Sequence, residues 1–170
     1  MQKKWLIFVL LLLLAVPARA QWSAGGRVSI NGNVGNGSFG MTLRPDVSYT
    51  FKDIAVGING IAEFDRFNSN NSTPETIYKL GLAPYIQYFF FRIGQFSFFL
   101  DGGLEVSRFA SNVVQYWSFI PYIGPGLEIS LTEHWTLQGT FGRLDYNSYS
   151  RTINFYLDGS AFSAGLYYSF

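Results

Sequence analysis

The sequence predicts an all-β fold, an eight-stranded antiparallel up-and-down barrel that crosses a membrane. Three observations predict it: long stretches in which apolar and polar residues alternate, connections that are alternately short and long, and aromatic side chains at both ends of the strands. Aromatic residues make up 19% of the 170-residue chain, which favours strands. The 18 glycines suit strand kinks and a narrow interior that leaves no room for a side chain at some positions.

The first twenty residues have the pattern of a secretory signal peptide. Lys3 and Lys4 precede the apolar run 5–16, and residues 18–20 form a small-residue cleavage motif. The apolar run ends at Pro17, whereas a spanning helix needs about 20 apolar residues, so an uncleaved anchor is the weaker interpretation. We expect residues 1–20 to be removed and residues 21–170 to form one β-barrel domain.

Charge and cysteine content narrow the function classes. Without the three basic residues of the signal, nine basic and eleven acidic side chains remain, a formal charge of −2 that does not indicate nucleic-acid binding. The chain has no cysteine, which excludes a disulfide scaffold and a lipid anchor at cysteine. It has one histidine, His134, from which no metal site can be built. We therefore expect no cofactor, no metal and no nucleic-acid partner.

The clearest predicted strand runs from Phe39 to Phe51, where thirteen residues keep a period of two. Its odd positions are apolar and are predicted to face lipid, while its even positions, Arg44 and Asp46 among them, are predicted to face the interior. Seven further segments repeat the pattern. The eight predicted strands cover residues 27–33, 39–51, 54–64, 76–90, 96–106, 115–131, 135–146 and 154–170.

Two of these strands contain irregularities. Pro121 and Pro125 each remove a ladder donor, which predicts a bulge or locally open pairing between them. In the seventh strand Arg143 has the same parity as the outward Trp135, so either it rises above the membrane or a bulge resets the phase. The same question arises in the eighth strand near Asp158.

Connection lengths predict the orientation of the barrel. Connections near residues 52–53, 92–95 and 132–134 are short, while those near 67–75, 110–114 and 148–152 are longer and polar. Short turns face the periplasm in outer-membrane barrels. Outward aromatics beside both sets of connections are typical of the two interfacial belts of a membrane protein.

The segment 43–49 (Leu-Arg-Pro-Asp-Val-Ser-Tyr), its continuation through Lys52-Asp53 into residues 54–57, and the ending 165–170 (Gly-Leu-Tyr-Tyr-Ser-Phe) resemble one known family. It comprises the small outer-membrane β-barrel domain proteins of Gram-negative bacteria, related in shape to the transmembrane domain of outer-membrane protein A. The resemblance implies an outer-membrane location, contact with outer-membrane lipid, and assembly by the barrel insertion machinery, and we expect a monomer. By the same resemblance the insertion signal comprises Ala164, Leu166, Tyr168 and Phe170.

Charged residues of both signs are predicted to face the interior. An eight-stranded barrel is just wide enough to be filled by its own side chains, and buried charges are tolerated when they are paired. Counting from the turns places Glu63 opposite Thr42, and Glu105 opposite Gly81 and diagonal to Lys79. Nine charged residues are predicted to face inward, and all of them except Asp65 form the predicted interior polar network: Arg27, Arg44, Asp46, Glu63, Lys79, Asp101, Glu105 and Glu128.

These features predict an integral outer-membrane barrel with a filled, salt-bridged interior, a structural or surface-interaction role, and no enzymatic activity. His134 falls in a predicted periplasmic turn, far from the outer leaflet, so a Ser, His and carboxylate arrangement is not expected. Three alternatives stay open: a narrow pore, a soluble exported barrel that binds a hydrophobic ligand, and a lipid-modifying barrel enzyme.

Overall fold

The computed structural model describes residues 21–33, 38–67, 75–111, 114–156 and 162–170. The predicted signal peptide and Asp158 therefore lie outside the described residues. Within the described ranges, no helix has the length and apolar character needed to cross a membrane.

Ten strands make up the described part of the chain. Their bounds are β1 Gln21–Asn33, β2 Ser38–Phe51, β3 Ile54–Phe67, β4 Glu75–Ile93, β5 Phe96–Ala110, β6 Gln115–Ser130, β7 Trp135–Thr140, β8 Arg143–Asn147, β9 Thr152–Tyr156 and β10 Ser163–Ser169.

The strands form a closed antiparallel barrel of eight passes. Strands β1 to β6 pair in chain order, β7 and β8 both pair with β6, and β10 pairs with β7 and with β1 to close the ring. The seventh pass is β7 followed by β8, and the eighth is β9 followed by β10. The predicted eight-stranded barrel is thus confirmed. The first strand begins at Gln21 and not at the predicted Arg27. The prediction began too late because the small residues Ser23 to Gly26 show no alternation in the sequence.

The outward and inward faces follow the predicted parity. On β4, Leu82 and Ile86 are 55% and 59% exposed, whereas Ala83 and Tyr85 between them are 0% and 6% exposed. Outward aromatics lie at both strand ends, for example Trp117 at one end and Phe90 at the other. The larger apolar set therefore faces outward, as expected for strands that lie against lipid.

Tight turns mark one end of the barrel, called the inner end below. Lys52-Asp53 joins β2 to β3, and Gly94-Gln95 joins β4 to β5. Lys52 and Gly94 have φ values of 55° and 57°, in the left-handed region that two-residue hairpin turns use. The third tight turn precedes Trp135, whose backbone N–H donates to Thr132 Oγ1 at 3.0 Å. The opposite end is called the outer end.

The irregularity predicted between Pro121 and Pro125 lies on one side of β6. Pairing of β6 with β5 runs without a shift, but the pairing with the seventh pass is interrupted between β7 and β8, where the Phe141 N–H donates to the Pro125 carbonyl at 3.3 Å. The nitrogens of Pro121 and Pro125 face the seventh pass, and because they carry no hydrogen they cannot donate a ladder hydrogen bond there. Extra chain at residues 141–142 resets the phase, so Arg143 points inward and Leu144 outward. Of the two possibilities predicted for Arg143, a position above the membrane or a bulge that resets the phase, the structure shows the bulge.

Only one of the two predicted cross-strand alignments is confirmed. Thr42 lies opposite Glu63, as predicted. The alignment of Glu105 with Gly81 is wrong, because Gly81 pairs with Ser107. The reason is that β4 continues to Ile93, which shortens the turn, and that the register shifts at a bulge between residues 89 and 91.

Candidate functional site: the barrel interior

The inner half of the barrel is filled by a group of packed side chains, called here the inner plug (Ala55, Tyr85, Phe89, Phe99 and Tyr167). Phe99 is 0% exposed and Tyr167 is 1% exposed. The Phe89 and Phe99 rings meet edge to face, with centroids 5.9 Å apart. Such aromatic packing excludes water from the inner half of the interior.

Three large rings of the inner plug fit because each lies opposite a glycine on a neighbouring strand. Gly126 pairs with Phe99, Gly57 with Tyr85, and Gly25 with Tyr167. A Cβ atom at Gly57 would lie 2.6 Å from the Tyr85 ring, and one at Gly126 would overlap the Phe99 ring. The predicted use of glycine where a narrow interior has no room for a side chain is confirmed at these positions.

A layer of buried polar groups lies on the outer side of the plug. The guanidinium of Arg27 contacts Asp101 Oδ2 at 3.4 Å and donates to Asn59 Oδ1 at 3.3 Å. The Tyr85 hydroxyl donates to Asp46 Oδ1 at 3.0 Å, which links the plug to this layer. These hydrogen bonds offset part of the cost of burying charge in a narrow interior.

Further toward the outer end, three cations surround one carboxylate in what is called here the Glu105 cluster (Arg44, Lys79, Glu105 and Arg143). The Glu105 side chain is fully buried. Its Oε2 lies 3.1 Å from Arg44 Nη2 and 3.3 Å from Arg143 Nη2, and its Oε1 contacts Lys79 Nζ. A single carboxylate compensates three cations only in part, so further acids are needed around the cluster.

Two peripheral acids supply this compensation. Glu63 Oε2 lies 3.4 Å from Lys79 Nζ, and Asp145 Oδ2 accepts a hydrogen bond of 2.8 Å from Arg143 Nε. Asn154 donates to the other Asp145 oxygen at 2.9 Å. The Arg143 guanidinium also lies over the Tyr122 ring, 4.6 Å from its centroid.

The charged groups line a cavity of about 430 Å³ in the outer half of the interior. Its walls include the Glu105 cluster, Arg27 and Asp101. Asp101 Oδ1 and Arg27 Nε are buried with no hydrogen-bond partner among the described residues. A polar cavity of this size holds several water molecules, which can satisfy such atoms.

The structure brings together seven of the eight residues predicted to form the interior polar network. Glu128 stands apart and accepts a hydrogen bond of 2.7 Å from Gln138 near the inner end, whereas the inward Asp65 lies on β3 toward the outer end and interacts with Glu63. The sequence interpretation missed Arg143 and Asp145 as members. Their opposite charges two residues apart could have signalled an inward pair.

His134 lies in the exposed turn at the inner end, as predicted. Its Nδ1 is 3.0 Å from the Ser169 carbonyl oxygen, and its ring stacks on Tyr168. Among the residues that the structure describes, no three His, Cys, Asp or Glu side chains are grouped so that they could hold a metal ion.

Comparison with known proteins identifies the family. A family model of the outer membrane protein beta-barrel domain matches residues 6–170. Among solved structures, the chain is similar to Neisserial surface protein A, with a TM-score of 0.52, 15% identity, and coverage of 89% of this chain and 96% of that one. Ail of Yersinia pestis gives a TM-score of 0.41 and 17% identity, over 89% of this chain and 98% of that chain.

At these identities the structural likeness shows the fold alone, and no curated protein sequence matches the chain. The family match over nearly the whole sequence also gives the location, the outer membrane of a Gram-negative bacterium. In such barrels short turns face the periplasm, so the inner end is the periplasmic end. The chain belongs to the outer membrane protein beta-barrel domain family.

Proposed function

We propose that this protein is a closed, non-conducting outer-membrane barrel without enzymatic activity, whose role is structural or is carried out by interactions at its outer end. The observation that carries the proposal is the inner plug, in which fully buried rings fill the periplasmic half of the interior. The interior of an eight-stranded barrel is only as wide as the side chains that fill it.

A narrow pore is the alternative that the cavity in the outer half supports. The cavity is lined by the Glu105 cluster, and a continuous path would require displacement of Phe89 and Phe99. Displacing packed rings from a core is costly, about 3–5 kcal/mol when such a ring is lost. The plug therefore supports a closed barrel.

A lipid-modifying enzyme would need a nucleophile and a base near the outer leaflet. The only histidine of the chain, His134, lies at the opposite end of the barrel. This placement supports a role other than histidine-dependent catalysis on outer-leaflet lipid.

Conductance in planar lipid bilayers tests the proposal. Purified, refolded protein is expected to give no steady channels, whereas the F89A/F99A variant should give them because it removes two of the four rings of the inner plug. A matched control is F90A/F91A, which removes two exposed rings from the lipid-facing side and should give no steady channels. Steady channels from the unaltered protein would overturn the proposal.

We also propose that the last strand carries the signal for the barrel insertion machinery and that the protein acts as a monomer. Ala164 and Leu166 are exposed on the outward face of β10, and Phe170 is 71% exposed at the inner end. Replacing Tyr168 and Phe170 by alanine should lower the amount assembled in the outer membrane, while S169A should not. Equal assembly of all variants would contradict the signal, and a dimer mass in sedimentation would contradict the monomer.

A further inference from the structure

The lipid-facing side of the described strands carries two charged side chains, Arg66 and Arg108. Arg66 follows the outward parity of Phe64 on β3 and pairs with the exposed Phe39. Arg108 lies on β5 between its neighbours Leu80 and Trp117, which are 64% and 61% exposed. Both arginines are exposed and lie at the outer end of their strands.

The other described charges on the strands lie on the inward face. Arg92 at the inner rim also belongs to the inward face. It pairs with the buried Ser97, and its guanidinium lies over the inward Phe89 ring. The Arg92 guanidinium also forms an ion pair with Asp53 Oδ1 at 2.8 Å and donates a hydrogen bond to the Lys52 carbonyl oxygen at 3.1 Å. Among the described strand residues, the outward face therefore has positive charge at its outer end and no acid to neutralise it there.

The surroundings of Arg108 fit a headgroup ligand. Its Nη2 donates to Gln115 Oε1 at 2.8 Å, which fixes the side chain while most of the five guanidinium N–H groups stay available. Long basic side chains beside an aromatic belt extend along apolar surface and place their charge at the level of lipid headgroups. A planar guanidinium matches the oxygens of a phosphate group in pairs.

We propose that Arg66 and Arg108 bind the phosphate groups of lipids with a net negative headgroup in the outer leaflet and so select anionic over zwitterionic lipid around the outer end of the barrel. The proposal does not depend on whether the barrel conducts. The phosphate is that of a lipid and not of a soluble anion, since both side chains project from the membrane-facing side of the barrel.

Trp117 provides the reporter because it is the cross-strand neighbour of Arg108. Phenylalanine replaces Trp5, Trp22 and Trp135, which leaves Trp117 as the one tryptophan of the chain. The protein is placed in nanodiscs that contain brominated phosphatidylglycerol or, separately, brominated phosphatidylcholine at the same mole fractions. Bromine quenches a nearby indole, so the two titrations compare anionic and zwitterionic lipid at this position.

Quenching of Trp117 should require about fivefold less of the anionic lipid, the preference that one arginine near a membrane surface provides. The preference should vanish in R108Q, persist in R108K, and fall at high salt because it is electrostatic. A reporter that retains Trp135 alone, at the inner end, should show no preference.

Equal quenching of Trp117 by the two lipids would overturn the proposal, and so would an unchanged preference in R108Q. If R108Q does not refold, the salt titration of the arginine-containing reporter decides, because a preference unaffected by salt contradicts binding through charge. Competition by millimolar free phosphate without lipid preference would assign the arginines to soluble anions and would also overturn it.

Discussion

The two halves of the barrel interior solve the same packing problem in different ways. In the inner half, rings such as Phe99 and Tyr85 fill the space, and a glycine on the neighbouring strand makes room for each. In the outer half, paired charges around Glu105 line a cavity of about 430 Å³. Strands β1 to β6 each run through both halves, so along them the difference arises from the inward residues.

This difference separates two contributions of the interior. We propose that the inner plug closes the barrel, because its buried rings are closely packed. The Glu105 cluster holds the outer half together while keeping it hydrated, because charges of opposite sign need each other or water. Variants that damage one half should therefore leave the property of the other half intact.

The largest effect on stability is expected from E105A. Without this carboxylate, the side chains of Arg44, Lys79 and Arg143, which are 14–19% exposed, remain close together with only the peripheral acids as partners. The free energy of unfolding should fall by about 3–5 kcal/mol, the cost of breaking a buried pair by removing one partner. Denaturant-induced unfolding in phospholipid vesicles measures it.

A double-mutant cycle with R143M separates lost pairing from lost packing. If Glu105 and Arg143 interact, E105A/R143M should be less destabilised than the sum of the two single variants by about 0.5–3 kcal/mol. Additive effects would mean that the two side chains contribute independently and that the cluster is not a unit. The conductance of E105A should stay at zero, since the inner plug is untouched.

A smaller effect is expected from G126A in the inner half. The added methyl group would overlap the Phe99 ring and should cost about 1–3 kcal/mol through overpacking. Its matched control is G102A on β5, where the nearest atom to an added Cβ is the Tyr122 carbonyl oxygen at 3.8 Å. G102A should stay within about 0.5 kcal/mol of the unaltered protein. Equal destabilisation by both changes would contradict the packing of a ring against Gly126.

The smallest effect is expected outside both halves, from D53N at the inner rim. Asp53 Oδ1 lies 2.8 Å from Arg92 Nη1, but both side chains are about half exposed, at 58% and 46%. Exposed pairs contribute about 0–1 kcal/mol, and salt should erase the difference from the unaltered protein. A loss as large as that of E105A would show that burial does not decide the strength of these pairs.

The barrel could be predicted from the sequence, but only part of the arrangement of its interior side chains could. Alternation along β2 and β4 sufficed to assign the lipid-facing residues, because a period of two leaves only one choice of faces. The partners of Glu105 were harder to predict, since they depend on two local irregularities: the bulge between residues 89 and 91, and the one at 141–142 that turns Arg143 inward. Each shifts a register by one residue, so the inward and outward positions exchange across it while the period of two continues on both sides.

The central claim is that the inner plug closes the inner half of the interior, while the outer half holds a polar cavity. Since the chain has no cysteine, S29C introduces a single thiol in the wall of the cavity. A charged, membrane-impermeant thiol reagent is supplied to one side at a time, in vesicles whose barrel orientation is known from protease cleavage. We expect labelling from the outer-end side only, and from both sides once F89A/F99A removes two of the four rings of the inner plug. Equal labelling rates from both sides with the plug intact would contradict the account.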